Sequence, residues 1–116
     1  MGELPPQVQN MVAQMQQVQQ QLQAVISQRL QVEALLKEVN EAIEEVKKVS
    51  EDTPLYKVVG SILVKASKSE VVKDLEEKKE TYEVRINTLK RQEDRLKERL
   101  TEIQKKLQSM LSPQAG

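Results

Sequence analysis

Adjacent carboxylates, such as Glu44-Glu45, Glu76-Glu77 and Glu93-Asp94, are the groups in this chain whose type and spacing could support acid–base chemistry. Such chemistry needs carboxyl groups held in contrasting environments, usually in a cleft that excludes water. These pairs fall in long helical runs with no concave pocket to receive them, so they read as solvated helix faces. The chain has no His and no Cys, so the commonest general base, the thiol nucleophile and the usual transition-metal ligands are missing. Its three glycines, at positions 2, 60 and 116, cannot build a phosphate-cradling loop. The basic pairs Lys90-Arg91 and Lys105-Lys106 are interleaved with acids and read as helix salt pairs. The expectation is a protein without catalysis, metal or cofactor.

The elements that carry these residues are unusual for a chain of 116 residues. Aromatic residues are 2% and charged residues 31% of the composition. Only Tyr56 and Tyr82 could give a core bulky aromatic area. Enrichment in Ala, Glu, Lys, Leu, Gln and Arg with a seven-residue period points to long helices or coiled coil. Disorder is the competing reading of so polar a chain, and sustained periodicity argues against it.

The net charge is zero, but it is unevenly spread. Residues 1–31 hold only Glu3 and Arg29, residues 32–52 hold seven acids and three bases, and residues 70–116 hold ten acids and eleven bases. No segment forms a concentrated basic stripe, so neither nucleic acid nor an anionic membrane is an expected partner. The N-terminal stretch MGELPPQVQ does not read as a signal peptide, and no apolar run approaches a membrane span. A cytoplasmic protein is the expectation.

A first helix is expected over residues 6–51, opened by Pro5-Pro6. Its apolar residues step by three and four through Val8, Met11, Met15, Val18, Leu22, Val25, Val32, Leu36, Val39, Ile43 and Val46, interrupted only by Arg29. That spacing demands a partner helix. At 1.5 Å per residue the helix would be roughly 65–70 Å long. Its polar face is Gln-rich as far as Gln31 and charged from Glu33 onward. The Gln residues fall between seam positions, which favours a solvated face over aggregation-prone low complexity. A neutral face would also suit contact with apolar material.

Pro54 ends the first run, because the residue before proline is biased away from helix. The stretch 55–66, LYKVVGSILVKA, is β-branched and carries a turn signal at Gly60-Ser61, so it reads as a hairpin. Ser67-Lys68-Ser69-Glu70 has the form of a capping box. It opens a second helix over residues 68–111, with Pro113 and Gly116 beyond its end. This helix's seam runs Val72, Leu75, Lys79, Tyr82, Ile86, Leu89, Glu93, Leu96, Leu100, Ile103, Leu107 and Met110.

Folding the chain at Gly60-Ser61 sets the two seams opposite each other, and Arg29 then falls opposite Glu93. A polar pair in an apolar seam can fix register. The alternative is that Arg29 bonds Glu33 one turn along its own helix. The fold class expected is mainly α: a long antiparallel two-helix coiled coil joined by a β hairpin.

Two strands have no core in which to hide Val58, Val59, Ile62, Leu63 and Val64, and an isolated hairpin is marginal. Either it packs on its own helix ends, or hairpins from several chains join into a sheet or barrel that forms the body of an oligomer. The second is the expectation, with those five residues as assembly contacts.

At YKVVGSILVK, residues 56–65, the chain resembles the prefoldin family, beta type, whose hairpin runs approximately V-Y-K-x-x-G-x-[IVL]-L-[IV]-[KR]. The RQED run at 91–94 and the early Gln-rich seam are similar to archaeal members. The resemblance spans essentially the whole chain. Pro54 departs from a position that is commonly small or acidic. One hairpin, not two, is similar to the beta type over the alpha type.

The resemblance implies a hexameric chaperone without an ATP site, in which two alpha and four beta subunits join their hairpins into an oligomeric β-barrel body. It also implies coiled-coil tips that hold unfolded proteins and pass them to a group II chaperonin. In this sequence the mirrored register would bring both chain ends to one tip, about 65 Å from the hairpin. The client-holding residues expected there are Val8, Met11, Val12, Met15, Leu107, Met110 and Leu111. Met side chains suit surfaces that accept many partners. Two other classes fit the pattern less closely: a passive coiled-coil scaffold or tether, and a nucleic-acid organiser, which the charge map disfavours.

Overall fold

A computed structural model describes residues 4–112. The element order is α1 (Pro6–Lys48), β1 (Leu55–Val59), β2 (Ile62–Ala66) and α2 (Lys68–Leu111). The chain divides into two compact units, one formed by residues up to Arg29 together with those from Thr88 onward, the other by Leu30–Asn87.

Helix α1 starts where its sequence says it should. Pro6 occupies the first helical position, where a missing N–H costs nothing. The Gln9 amide donates to Pro5 O at 3.0 Å, and the Gln9 side chain donates to Leu4 O at 2.7 Å. The helix ends at Lys48, three residues before the expected 51. A tight bond from Val49 N to Val46 O, at 3.3 Å, closes the last turn. Ser50–Thr53 then form their own turn, with Thr53 N on Ser50 O at 3.1 Å and the two hydroxyls 3.0 Å apart. Pro54 constrains only the residue before it, so it could not reveal this earlier exit. Lys68 Nζ donates to Lys47 O at 3.1 Å and to Val49 O at 2.8 Å. It thereby satisfies carbonyls that a helix end leaves without partners.

The hairpin has the expected bounds and turn. Leu55 pairs with Ala66, Lys57 with Val64 and Val59 with Ile62, while Tyr56↔Lys65 and Val58↔Leu63 occupy the other face. Gly60 has φ 62°, and no non-glycine residue among those described has positive φ. Positive φ at the first central residue alone is the signature of a type II′ turn, whose twist matches the flanking strands. Ser67 caps α2 as its sequence implies, its Oγ accepting from Glu70 N at 3.2 Å. Helix α2 runs over the expected 68–111; Pro113 and Gly116 lie outside the described residues.

Each unit has a narrow apolar seam. In the first, Val8, Val18, Leu89 and Ile103 are buried; in the second, Val32, Val39, Ile43, Ala66 and Ile86 are. All the helical members lie on the seams spaced by three and four. Of the two aromatics, Tyr82 is half-buried, but Tyr56 is 59% exposed and contributes little to the core. None of the helices is long and apolar enough to cross a membrane, among the described residues.

Candidate functional site

The hairpin presents apolar side chains to solvent on both faces. Tyr56, Val58 and Leu63 share one face, with Val58 71% and Leu63 70% exposed. On the other face Leu55 and Lys57 are half-buried and Ala66 is buried, but towards the turn Val59 and Ile62 emerge at 49% and 61%. Val64 is exposed as well. One end of the hairpin is therefore anchored while its turn end projects apolar surface.

Lys57 supplies part of the anchor. Its Nζ lies 3.4 Å from Asp74 Oδ2 and 3.9 Å from Glu70 Oε2, tying β1 to α2. Consecutive residues Tyr56, Lys57 and Val58 line a cleft of about 620 Å³ against Val71, Leu75 and Tyr82 of α2. The β1 side of the hairpin thus borders a part-apolar trough. A strand's open edge and an apolar face together form a surface suited to pairing with another chain. The sequence reading took in the five aliphatic residues but missed Tyr56. Strand alternation was the available signal, since it sets Tyr56 beside Val58.

In the first unit, Arg29 Nε donates to Glu93 Oε1 at 2.6 Å. Lys97 Nζ donates to Glu93 Oε2 at 2.9 Å. Glu93 is 7% exposed, and no buried side-chain nitrogen or oxygen lacks a partner among the described residues. The cross-seam pairing of Arg29 with Glu93 is therefore realised. Hydrogen bonds from Lys97 first, and then from Arg29, hold the Glu93 carboxyl below its ordinary value of 4.5. Charge-assisted bonds favour the ionised form. This layer positions helices and has no route to chemistry.

The expected client-holding residues divide by exposure. Met110 and Leu111 are 41% and 54% exposed, and Leu4, outside the expected set, is 49% exposed. Met11, Val12, Met15 and Leu107 are half-buried. Val8 differs from the expectation of an open surface: at 2% exposure it belongs to the closed seam. Its three- and four-residue spacing with Met11 and Met15 explains that placement.

Two seven-residue-repeat helices joined by an exposed apolar hairpin define a coiled-coil subunit with an unsatisfied β surface. The chain belongs to the prefoldin family, whose model for a prefoldin subunit matches residues 9–114. It is thus a subunit of a non-enzymatic chaperone family. It is 67% identical to prefoldin subunit beta of Archaeoglobus fulgidus over the full length of both chains. It is 48% identical to prefoldin subunit beta of Thermococcus onnurineus, again over the full length of both. The crystal structure of the prefoldin beta subunit from Thermococcus strain KS-1 is similar with a TM-score of 0.91 and 44% identity, covering 98% of this chain and 100% of that one. The beta2 subunit of the same strain, at 23% identity and TM-score 0.71 over 78% of this chain and 97% of that one, shares the fold.

Proposed function

We propose that this chain is a subunit of an ATP-independent chaperone that holds non-native proteins at its helix ends and hands them to a group II chaperonin. The observation that carries the reading is apolar exposure clustered at the hairpin and at the helix ends, whereas Leu30, Leu35 and Val84 are exposed on the helices between them. The hairpin exposes Val58, Val59, Ile62, Leu63 and Val64, and the helix ends expose Leu4, Met110 and Leu111. The first set supports assembly. Burying one such side chain fully is worth about 1.5–3 kcal/mol, so several per subunit can hold chains together. The second set, with half-buried Met11, Val12, Met15 and Leu107 beside it in the seam, supports client holding.

Assembly with alpha-type partners, two alpha to four beta, follows from the family resemblance, as do the chaperonin step and a cytoplasmic setting. Native mass measurement of the chain alone and with an alpha-type subunit, followed by an aggregation assay on the assembly, tests the reading. The expected result is a hexamer that suppresses aggregation of a denatured protein without nucleotide. A stable assembly that binds one folded partner and gives no protection would instead make the chain a scaffold or tether.

A further inference from the structure

From Leu4 to Gln28 no residue carries a formal charge, in a chain that is 31% charged overall. The seven-residue repeat puts Asn10, Ala13, Gln16, Gln17, Gln20 and Gln23 on the face of α1 away from its seam, and all are exposed. The corresponding face of α2 in the same unit exposes Arg91, Asp94, Arg95, Glu98, Glu102 and Lys105. One helix of the pair is thus neutral where the other is charged.

Helix formation does not require this neutrality. Gln, Glu, Lys and Arg have nearly equal helix propensities, and charged residues four apart would add salt pairs that Gln forgoes.

We infer that the neutral amide face of α1 between Asn10 and Gln23 is a second contact surface for non-native polypeptide, and that it makes capture indifferent to the client's charge. The inference rests on the client-holding reading above. An unfolded chain exposes apolar side chains together with N–H and C=O groups that lack partners. Each Gln amide offers donors and an acceptor, so it can meet either backbone group. Ala13 leaves an apolar gap between the amides. Because the face has no net charge, its attraction does not depend on the sign of the client, whereas a charged face would select one sign and reject the other.

The test uses the full chain in its native assembly. Two variants replace Gln16, Gln17, Gln20 and Gln23 together, one with Glu and one with Lys. The clients are reduced lysozyme, which is basic, and reduced α-lactalbumin, which is acidic. The unaltered assembly should protect both clients to within about twofold, the Glu variant should lose about fivefold on the acidic client only, and the Lys variant should lose as much on the basic one. A milder pair, Gln16 and Gln23 alone, should show the same signs at smaller size, and it decides the matter if a fourfold variant loses helix. Variants that protect both clients as the unaltered chain does would overturn the inference and leave client holding intact. An unaltered assembly that protects one client only would also overturn it. Protection of neither client by the unaltered assembly would remove the client-holding reading itself, and this inference with it.

Discussion

Glu93 accepts bonds from Lys97 and Arg29, and both hold its carboxyl below the ordinary glutamate value. A carboxyl whose folded value is depressed adds stability that is present in full above its unfolded value and is lost as pH falls through the folded one. The window for this group therefore begins near 4.5 and extends below it. Urea midpoints measured between neutral pH and pH 3 should fall less steeply for Glu93→Gln than for the unaltered chain. Parallel declines would mean the Glu93 interactions contribute nothing in the folded state. The pairing itself was legible in the sequence, because Arg29 and Glu93 interrupt their seams at mirrored places. The part played by Lys97 was not, since many surface Glu and Lys residues lie four apart and only the buried position of Glu93 distinguishes this pair.

At the scale of elements, the hairpin and α2 were almost fully legible, because glycine, proline and capping residues mark their ends. The end of α1 was less so: Ser50 and Thr53 form a turn before Pro54 exerts its effect. The exposure of the hairpin could be argued from its apolar composition. Which face stays open depends on the Lys57 contacts to Asp74 and Glu70, which no local pattern announces. Two outcomes follow for this element. Gly60→Ala places a side chain at φ 62° with nothing within 4 Å of the new Cβ, so the loss comes from the backbone alone. Thermal and urea unfolding should register about 1–2 kcal/mol, and an unchanged stability would show that the turn relaxes freely. Replacing both Val58 and Leu63 with Lys leaves the fold of the single chain intact, because both side chains are already exposed. It should, however, yield free chains in sedimentation. A double variant that still assembles normally would move the subunit contacts to the helices.

For the whole molecule, the same principle acts at the hairpin and at the helix ends, where apolar side chains cluster that a chain of two long helices and one hairpin does not bury by itself. Leu4, Met110 and Leu111 remain open at the helix ends, although Val8, which the sequence pattern alone groups with them, is closed into the seam. Periodicity reveals which residues share a stripe but not where the stripe ceases to be covered, so it could not separate the closed Val8 from the open Met110 and Leu111. The most direct measurement is aggregation suppression by the chain lacking residues 1–10 and 108–116, assembled as the full chain is. The truncation removes the exposed Leu4, Met110 and Leu111 but keeps the hairpin and the Arg29–Glu93 layer. A normal oligomer mass with loss of protection for a denatured test protein is the expected result. Full protection by the truncated assembly would contradict it and place the client surface elsewhere on the molecule.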